Sequence, residues 1–476
     1  MKKMPQANLP AIIFVAFLLL YSALIVLRPV PFWYDESIYA IMVKEFYSNP
    51  SAVMPTINGE HVEWKPPLFV WVYSVFYMIL RHLPLQPEVL HRLPSAFFGA
   101  ANATLVFMLA KRLYGNRVAL ASVLLFGLMP IIIFSATTAM MEAFSLFLML
   151  CSIWYCLERR YAWASLALGC LALTKWLYVP FPIIFLVAWF ARDSDLRKVV
   201  LTFLSVPAAL AFYLMLAYFF GNFGNAVATM TFDLSRPLPG SGISYALPNY
   251  IVMFAFTFPL AVLAILLSFA SKPSPWGERA VIALCAVGFL LPLSHLFLFW
   301  YLTPVLFAFA IFIALRLEAL GGGPLFLVVL GGLVLMNLFM LAMPLLQPEP
   351  YLKEVLPILN GGGAAFLEPH VHFPVWESVN RMYKGTANSF LLLEQLNPGI
   401  LYYALENNDH PAFSTVLTEY GEQPQCGSWL VVHARTAPGL PPPLNWTVPS
   451  CLRLAWDNER YIVYAPVGNG TATARP

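Results

Sequence analysis

Two adjacent carboxylates, Asp35 and Glu36, stand about thirty residues ahead of a lysine set in Trp64-Lys65-Pro66-Pro67. A carboxylate can take the proton of a hydroxyl, and an ammonium can neutralise a phosphate as a point charge. Together they form a minimal set for moving a sugar from a lipid phosphate to a hydroxyl. Tyr39, Glu60, His61 and Glu63 share the same stretch, Pro31 to Pro67, in a chain where charged residues are only 11%. The acidic pair equally suits the first turn of an interfacial helix, where carboxylates meet the positive end of the helix dipole. Both readings hold together, because a capping Glu36 leaves Asp35 for chemistry.

In order along the chain, Asp35-Glu36 with Tyr39, Lys65-Pro66-Pro67-Leu68, Arg92-Leu93-Pro94-Ser95-Ala96 and Tyr114-Gly115 resemble the opening of the polytopic GT-C glycosyltransferases. The likeness is to the branch that includes protein O-mannosyltransferases and the lipid A aminoarabinose transferase, and it covers the first third of the chain best. Two positions depart from the pattern: Ile38 precedes Tyr39 where bacterial members tend to have Arg, and Trp64 separates Glu63 from Lys65.

The resemblance implies Asp35 as general base, with Glu36 beside it, and Lys65 on the donor phosphate. It extends to Glu142, where family members carry a second acidic residue, and to Lys175 in a Leu-Thr-Lys turn between two short helices. Arg236, in the loop of residues 221–247, matches a loop arginine that contacts the lipid phosphate; its fork suits two hydrogen bonds to phosphate. Tyr39 and Tyr301 are further candidates to bind the donor phosphate through hydrogen bonds from their hydroxyls, and Glu142, Glu63, His61 and His295 are candidate sugar or acceptor contacts. Each has a plainer role open to it. Glu142 suits a helix N-terminus, Lys175 suits a headgroup, Arg236 suits pairing with Asp233, and Trp300 suits an aromatic belt. His61 with Glu63 supplies two metal ligands, which do not make a site, so neither metal nor cofactor is expected.

These residues must be held by membrane helices. Of the 476 residues 60% are hydrophobic, and the mean hydropathy is +0.72, too apolar for a water-soluble globule. An apolar run from Leu9 to Val30 follows Lys2-Lys3 and predicts a retained anchor with a cytoplasmic N-terminus. Further runs centre on 94–110, 117–135, 139–157, 161–175, 177–191, 198–220, 248–270, 277–294, 297–316 and 324–345. The reading is therefore mostly α: a helical bundle of eleven spans, with twelve or thirteen open. The run Leu68–Leu83 is ambiguous. Keeping it from crossing puts Lys111-Arg112-Arg117, Arg159-Arg160 and Arg192-Arg197-Lys198 all inside. The Asp35 stretch, Glu142, Lys175, the 221–247 loop and His295 then share the outer face.

Composition changes near Gln347. Residues 347–476 carry 7 Lys+Arg against 11 Asp+Glu, whereas the remainder is basic. Strand-like Ser428–His433 and Arg460–Tyr464 alternate with helix-like Val375–Met382 and Pro411–Tyr420, predicting a small extracytoplasmic α/β domain. The expected division is 1–346, a transmembrane glycosyltransferase domain with outer loops 31–67 and 221–247, and 347–476. Cys426 and Cys451, the two cysteines of this tail, either pair as a disulfide on an oxidising side or stay reduced. Basic residues fall in short loops rather than one stripe, which gives nucleic-acid binding no support.

The expected function is transfer of a sugar from a polyprenyl or dolichyl monophosphate donor to an acceptor hydroxyl, with inversion, on the outer face. The acceptor's class (lipid, glycan or protein) is open, and membrane lipids are the surrounding partner. A flippase, with intramembrane charges lining a pathway, and a non-catalytic subunit of a glycosylation complex are the alternatives.

Overall fold

The structure is a computed structural model of the full chain. It describes residues 8–27, 34–50, 53–57, 60–62, 65–190, 196–221, 223–235, 277–290, 299–319 and 331–332, short strands between 365 and 466, and Ser450. Two compact units are distinguished, Met1–Pro29 with Met42–Leu345, and Val30–Ile41 with Leu346–Pro476.

In the first unit, α1 (Leu9–Leu27) is apolar all round but buries a single stripe, Ile13, Phe17, Tyr21 and Ile25. The spacing of four keeps one helical face against protein, while Ile12, Val15, Leu19 and Val26 on the others are exposed. Such a helix is stable only where its exposed face meets lipid. The Tyr21 hydroxyl donates to the Gly127 carbonyl at 2.8 Å, so its one polar atom is satisfied within the protein.

The central helix is α4 (Pro87–Tyr114), 28 residues and therefore ~42 Å long. Pro87 and Glu88 start it, Lys111 and Arg112 close it, and Gly115 ends it at φ 91, its N–H returning to Lys111 O at 3.0 Å. Acid at the start, base at the end and a left-handed glycine beyond are what the helix dipole and open terminus favour.

Next come α5 (Asn116–Gly127) and α6 (Pro130–Thr137), bent by 65° at the break before Pro130. Proline forces the preceding Met129 out of helical geometry, to φ −64 and ψ 137. A hairpin of α7 (Glu142–Leu157) and α8 (Tyr161–Lys175) follows, its turn holding Arg159 at φ 59. A 3₁₀ turn, Trp176–Tyr178, leads to α9 (Pro180–Phe190), and the chain bends by 111° there. Then come α10 (Leu196–Phe203), α11 (Ser205–Phe219), α12 (Phe223–Ser235), α13 (Gly277–Leu290), a 3₁₀ turn at Phe299–Leu302, and α14 (Thr303–Ala319).

Among the described residues, α1, α4 and the stretch Val200–Phe219 are each long and apolar enough to cross a membrane, and each bent pair passes the same test when joined. The chain is an integral membrane protein. The runs expected at 248–270 and 324–345 lie largely outside the described residues.

The stretch expected as an outer loop is instead folded. Residues Tyr34–Ser48 form α2, and Thr56–Ile57 pairs antiparallel with Glu60–His61 as β1 and β2. The acidic pair thus opens a helix, one of the two readings above. The Thr56 hydroxyl donates to Glu45 at 2.8 Å, and the Trp71 indole donates to the Val53 carbonyl at 2.9 Å. These bonds tie the hairpin to α2 and to α3 (Leu68–Leu80). At 13 residues, α3 is ~20 Å long, short of a hydrocarbon core of about 30 Å. Its side chains meet α4 between His91 and Phe98: Tyr77 stacks on His91 at 4.9 Å, and the Tyr73 and Ser95 hydroxyls bond at 2.8 Å.

The second unit contains a five-stranded sheet from β3 (Ala365–Leu367), β4 (Thr415–Leu417), β5 (Trp429–His433), β6 (Leu452–Asp457) and β7 (Tyr461–Pro466), in the order β4-β3-β5-β7-β6. The β3 strand is parallel to β4 and β5, whereas β7 is antiparallel to β5 and β6. Two of the strands coincide with Ser428–His433 and Arg460–Tyr464. The helix expected over Pro411–Tyr420 is corrected: Thr415-Val416-Leu417 is a strand. Its β-branched residues suit a pleat, and its pairing with β3 is non-local, so no local period announces it. The helix expected at Val375–Met382, Cys426 and Cys451 lie outside the described residues.

Close helix packing rests on small residues. A Cβ on Gly99 would lie 2.4 Å from the Ala136 Cβ, with the Tyr21 ring at 3.1 Å. Gly99→Ala is expected to destabilise the protein by about 1–3 kcal/mol through overpacking. Gly224→Ala, on α12 with nothing within 4 Å, is expected to be neutral or stabilising. Thermal unfolding of both in detergent should give opposite signs; equal shifts would refute the packing argument.

Candidate functional site

The hairpin of α7 and α8 places the first residue of one helix beside the last of the other. Those residues are Glu142 and Lys175. A carboxylate at a helix N-terminus and an ammonium at a C-terminus each sit at the favourable end of the dipole. They form an ion pair, Lys175 Nζ donating to Glu142 Oε1. Their side chains are 9% and 3% exposed. Glu142 Oε2 has no hydrogen-bond partner among the described residues.

Aromatic rings enclose the ammonium. Lys175 Nζ lies 4.7 Å from the ring centroid of Tyr178 and 5.4 Å from that of Tyr301, within range of attraction to a π face. The 3₁₀ turn after α8 brings Tyr178 back over the lysine it follows by three residues. Tyr301 comes from the turn before α14. The Tyr73 ring stands 6.4 Å from that of Phe144, two positions after Glu142. The Asn102 amide donates to the Ala143 carbonyl at 2.8 Å, fixing the first turn of α7 on α4.

The hairpin after α2 lies at this same end. Met54 packs with Tyr213, Leu216, Ala217 and Ala226, and Leu173, two residues before Lys175, joins that cluster with Trp71 and Phe220. His61, on β2, sets its ring 4.6 Å from Phe220. Lys65 is half-buried just ahead of Pro67, the residue preceding α3. The other ends of these helices are basic. Arg112 pairs with Glu158 at 3.4 Å and Arg117 with Glu318 at 3.2 Å, both partly exposed and worth little to stability.

Of the residues singled out by sequence, Glu142, Lys175 and Tyr301 are brought into one cluster. His61 and Lys65 belong to the hairpin segment at that end. Asp35, Glu36 and Tyr39 lie on the first two turns of α2. Glu36 and Tyr39 are buried there, and the Asp35 side chain lies outside the described residues, as do Glu63, Arg236 and His295. Tyr178 was not anticipated; its only local signal is the spacing of three from Lys175. Glu88 and His91, buried with Arg92 at the start of α4, were also not singled out by the sequence. Among the described residues no group of His, Cys, Asp and Glu could hold a metal.

Removing one partner of the ion pair strands the other in an apolar surround. Lys175→Met is expected to destabilise the protein by about 3–5 kcal/mol, and the double change with Glu142→Gln to recover most of the loss. Additive effects in a double-mutant cycle of unfolding in detergent would contradict a coupled buried pair.

No family model matches the chain. An uncharacterised protein of Aquifex aeolicus is 32% identical over 158 residues, a match covering 33% of this chain and 30% of that one. Similarity in structure is far more extensive. ArnT from Cupriavidus metallidurans, solved with undecaprenyl phosphate bound, superposes with a TM-score of 0.59 at 18% identity, covering 96% of this chain and 98% of that one. The apo state of ArnT gives 0.51 at 22% identity, with 84% and 75% covered. The Archaeoglobus fulgidus oligosaccharyltransferase gives 0.50 at 13% identity, with 79% and 60% covered. At these identities the likeness is one of fold, and this protein has the GT-C fold.

Proposed function

We propose that this protein transfers a sugar from a polyprenyl or dolichyl monophosphate to an acceptor hydroxyl, inverting the anomeric centre. The observation that carries the reading is the end-to-end likeness in fold to a chain solved with undecaprenyl phosphate bound, over 96% of this protein. A flippase reading has no comparable support. Residues 1–346 are the transferase domain, and 347–476 an extracytoplasmic domain.

In this reading Asp35 is the general base. It accepts the proton of the acceptor hydroxyl as that oxygen attacks the anomeric carbon opposite the phosphate. Lys65 and Arg236, with Lys175, Tyr39 and Tyr301, hold the phosphate while charge grows on its departing oxygen. Phosphate leaves as a stable anion, so these cations and hydroxyls take the place of a general acid. Glu36 supports the base, and Glu142, Glu63, His61 and His295 are contacts for sugar or acceptor. The presence of the β1–β2 hairpin, Leu173 and the Glu142–Lys175 pair at one end of the helical unit supports a site there. The basic residues Arg112 and Arg117 at the other end support a cytoplasmic side opposite it.

Purified protein incubated with a panel of polyprenyl-phosphate sugars is expected to release or transfer at least one. Asp35→Asn should lower the single-turnover rate by about two to four orders of magnitude while donor binding is kept. Near-normal turnover in this variant would move the base elsewhere. For orientation, a cysteine at Pro441 should react with an impermeant reagent from outside and one at Asn116 should not; the reverse pattern would invert the topology.

A further inference from the structure

We propose that Glu142 sets the release of the lipid phosphate product by balancing the charge of Lys175. The inference rests on the reading above that the donor is a lipid-linked sugar phosphate. In the transfer step the acceptor oxygen bonds to the anomeric carbon, and the bond from that carbon to the phosphate oxygen breaks. Its electron pair stays on the phosphate, and the hydroxyl proton passes to the Asp35 carboxylate. The donor, a phosphodiester, carries one negative charge. The product, a phosphomonoester, carries about −1.5 to −2 at pH 7.

A site of bare cations therefore holds its product more tightly than its donor. Every turnover would end with the lipid phosphate trapped. A cation already balanced by a carboxylate in contact with it still attracts a monoanion through its remaining N–H donors, but it opposes a second charge. Lys175 is such a cation: one donor goes to Glu142 Oε1, and the rings of Tyr178 and Tyr301 flank the ammonium.

Glu142 Oε2, without a hydrogen-bond partner among the described residues, separates this role from plain neutralisation. A carboxylate kept only to neutralise a buried lysine is best with both oxygens bonded, since a buried acceptor without a donor is costly. Here no described residue donates to Oε2, which leaves that oxygen to oppose an added negative charge beside the ammonium. In a site this dry, one charge acts on another with little screening.

The test is binding of undecaprenyl phosphate, and of its methyl phosphodiester as a monoanionic reference, to purified wild type and Glu142→Gln in nanodiscs. Glu142→Gln is expected to bind the monoester at least ~10-fold tighter, with a smaller change for the diester. In transfer assays it should show one fast turnover followed by a slowed steady state, so that kcat falls more than the single-turnover rate. A purely structural carboxylate predicts weaker binding of both lipids, because loss of Glu142 would disorder Lys175. Unchanged or weaker monoester binding by folded Glu142→Gln overturns the proposal. Where that variant does not fold, Glu142→Asp replaces it. Its carboxylate, drawn back by one methylene, should give a rise of about 2- to 3-fold, and no rise overturns the proposal equally. Failure of wild type to bind either lipid overturns the donor reading itself, whereas wild-type binding without tightening in the variants removes only the role of Glu142.

Discussion

Hydrocarbon about 30 Å thick offers no partner to a polar group, and the helical unit is arranged around that constraint. Backbone groups are satisfied within helices, and five hydroxyls turn back on the helix that carries them. Ser122, Ser135, Thr137, Thr138 and Thr174 each bond a carbonyl four residues earlier. Ionised side chains gather towards helix ends. At one end the arginines keep exposed partners; at the other, Glu142 and Lys175 are withdrawn from solvent and held together. An exposed pair costs little and contributes little. A buried one must be matched closely, or it would be removed at a gain.

The bends in the chain serve the same arrangement. Between α8 and α9 the helix stops at Lys175, whose backbone leaves the helical region at φ −149 and ψ 81, and restarts at Pro180. The 3₁₀ turn Trp176–Tyr178 keeps Tyr178, three residues on, against the ammonium, and the 111° bend follows it, between Tyr178 and Pro180. Irregular backbone between membrane helices is tolerated where it is buried in protein, and Tyr178 is buried.

The segment between α1 and α4 turns apolar chain into a platform. On α3, Phe69, Val70, Tyr73 and Ser74 face the protein, while Val75, Met78 and Ile79 are exposed. One side is therefore committed to α4 and the other is left apolar, which suits a short helix bordering lipid. The β1–β2 hairpin beside it is tied down by single hydrogen bonds and by Met54 in its apolar cluster. Lys65 leaves this platform between Trp64 and two prolines, whose rings narrow the directions its backbone can take.

The sequence by itself determined the membrane class and most helix positions among the described residues. Hydropathy and helix-end signals are local, so they are readable without contacts: Pro87, Glu88 and Gly115 delimit α4 as plainly in the chain as in space. Glu142, Lys175 and Tyr301 were also legible one at a time, through resemblance and through the cost of charge near hydrocarbon. Only the tertiary structure decided that they meet. Tyr178 had no signal beyond its spacing, because an aromatic near a helix end reads as an interfacial residue until its contact with Lys175 is known. Tyr34–Ser48 read as loop because its polar ends outweigh its middle, Ile38 to Val43, which is buried over more than a full turn, and only packing reveals that. Thr415–Leu417 became a strand through a partner fifty residues away, and pairing across such distances leaves no period in the sequence.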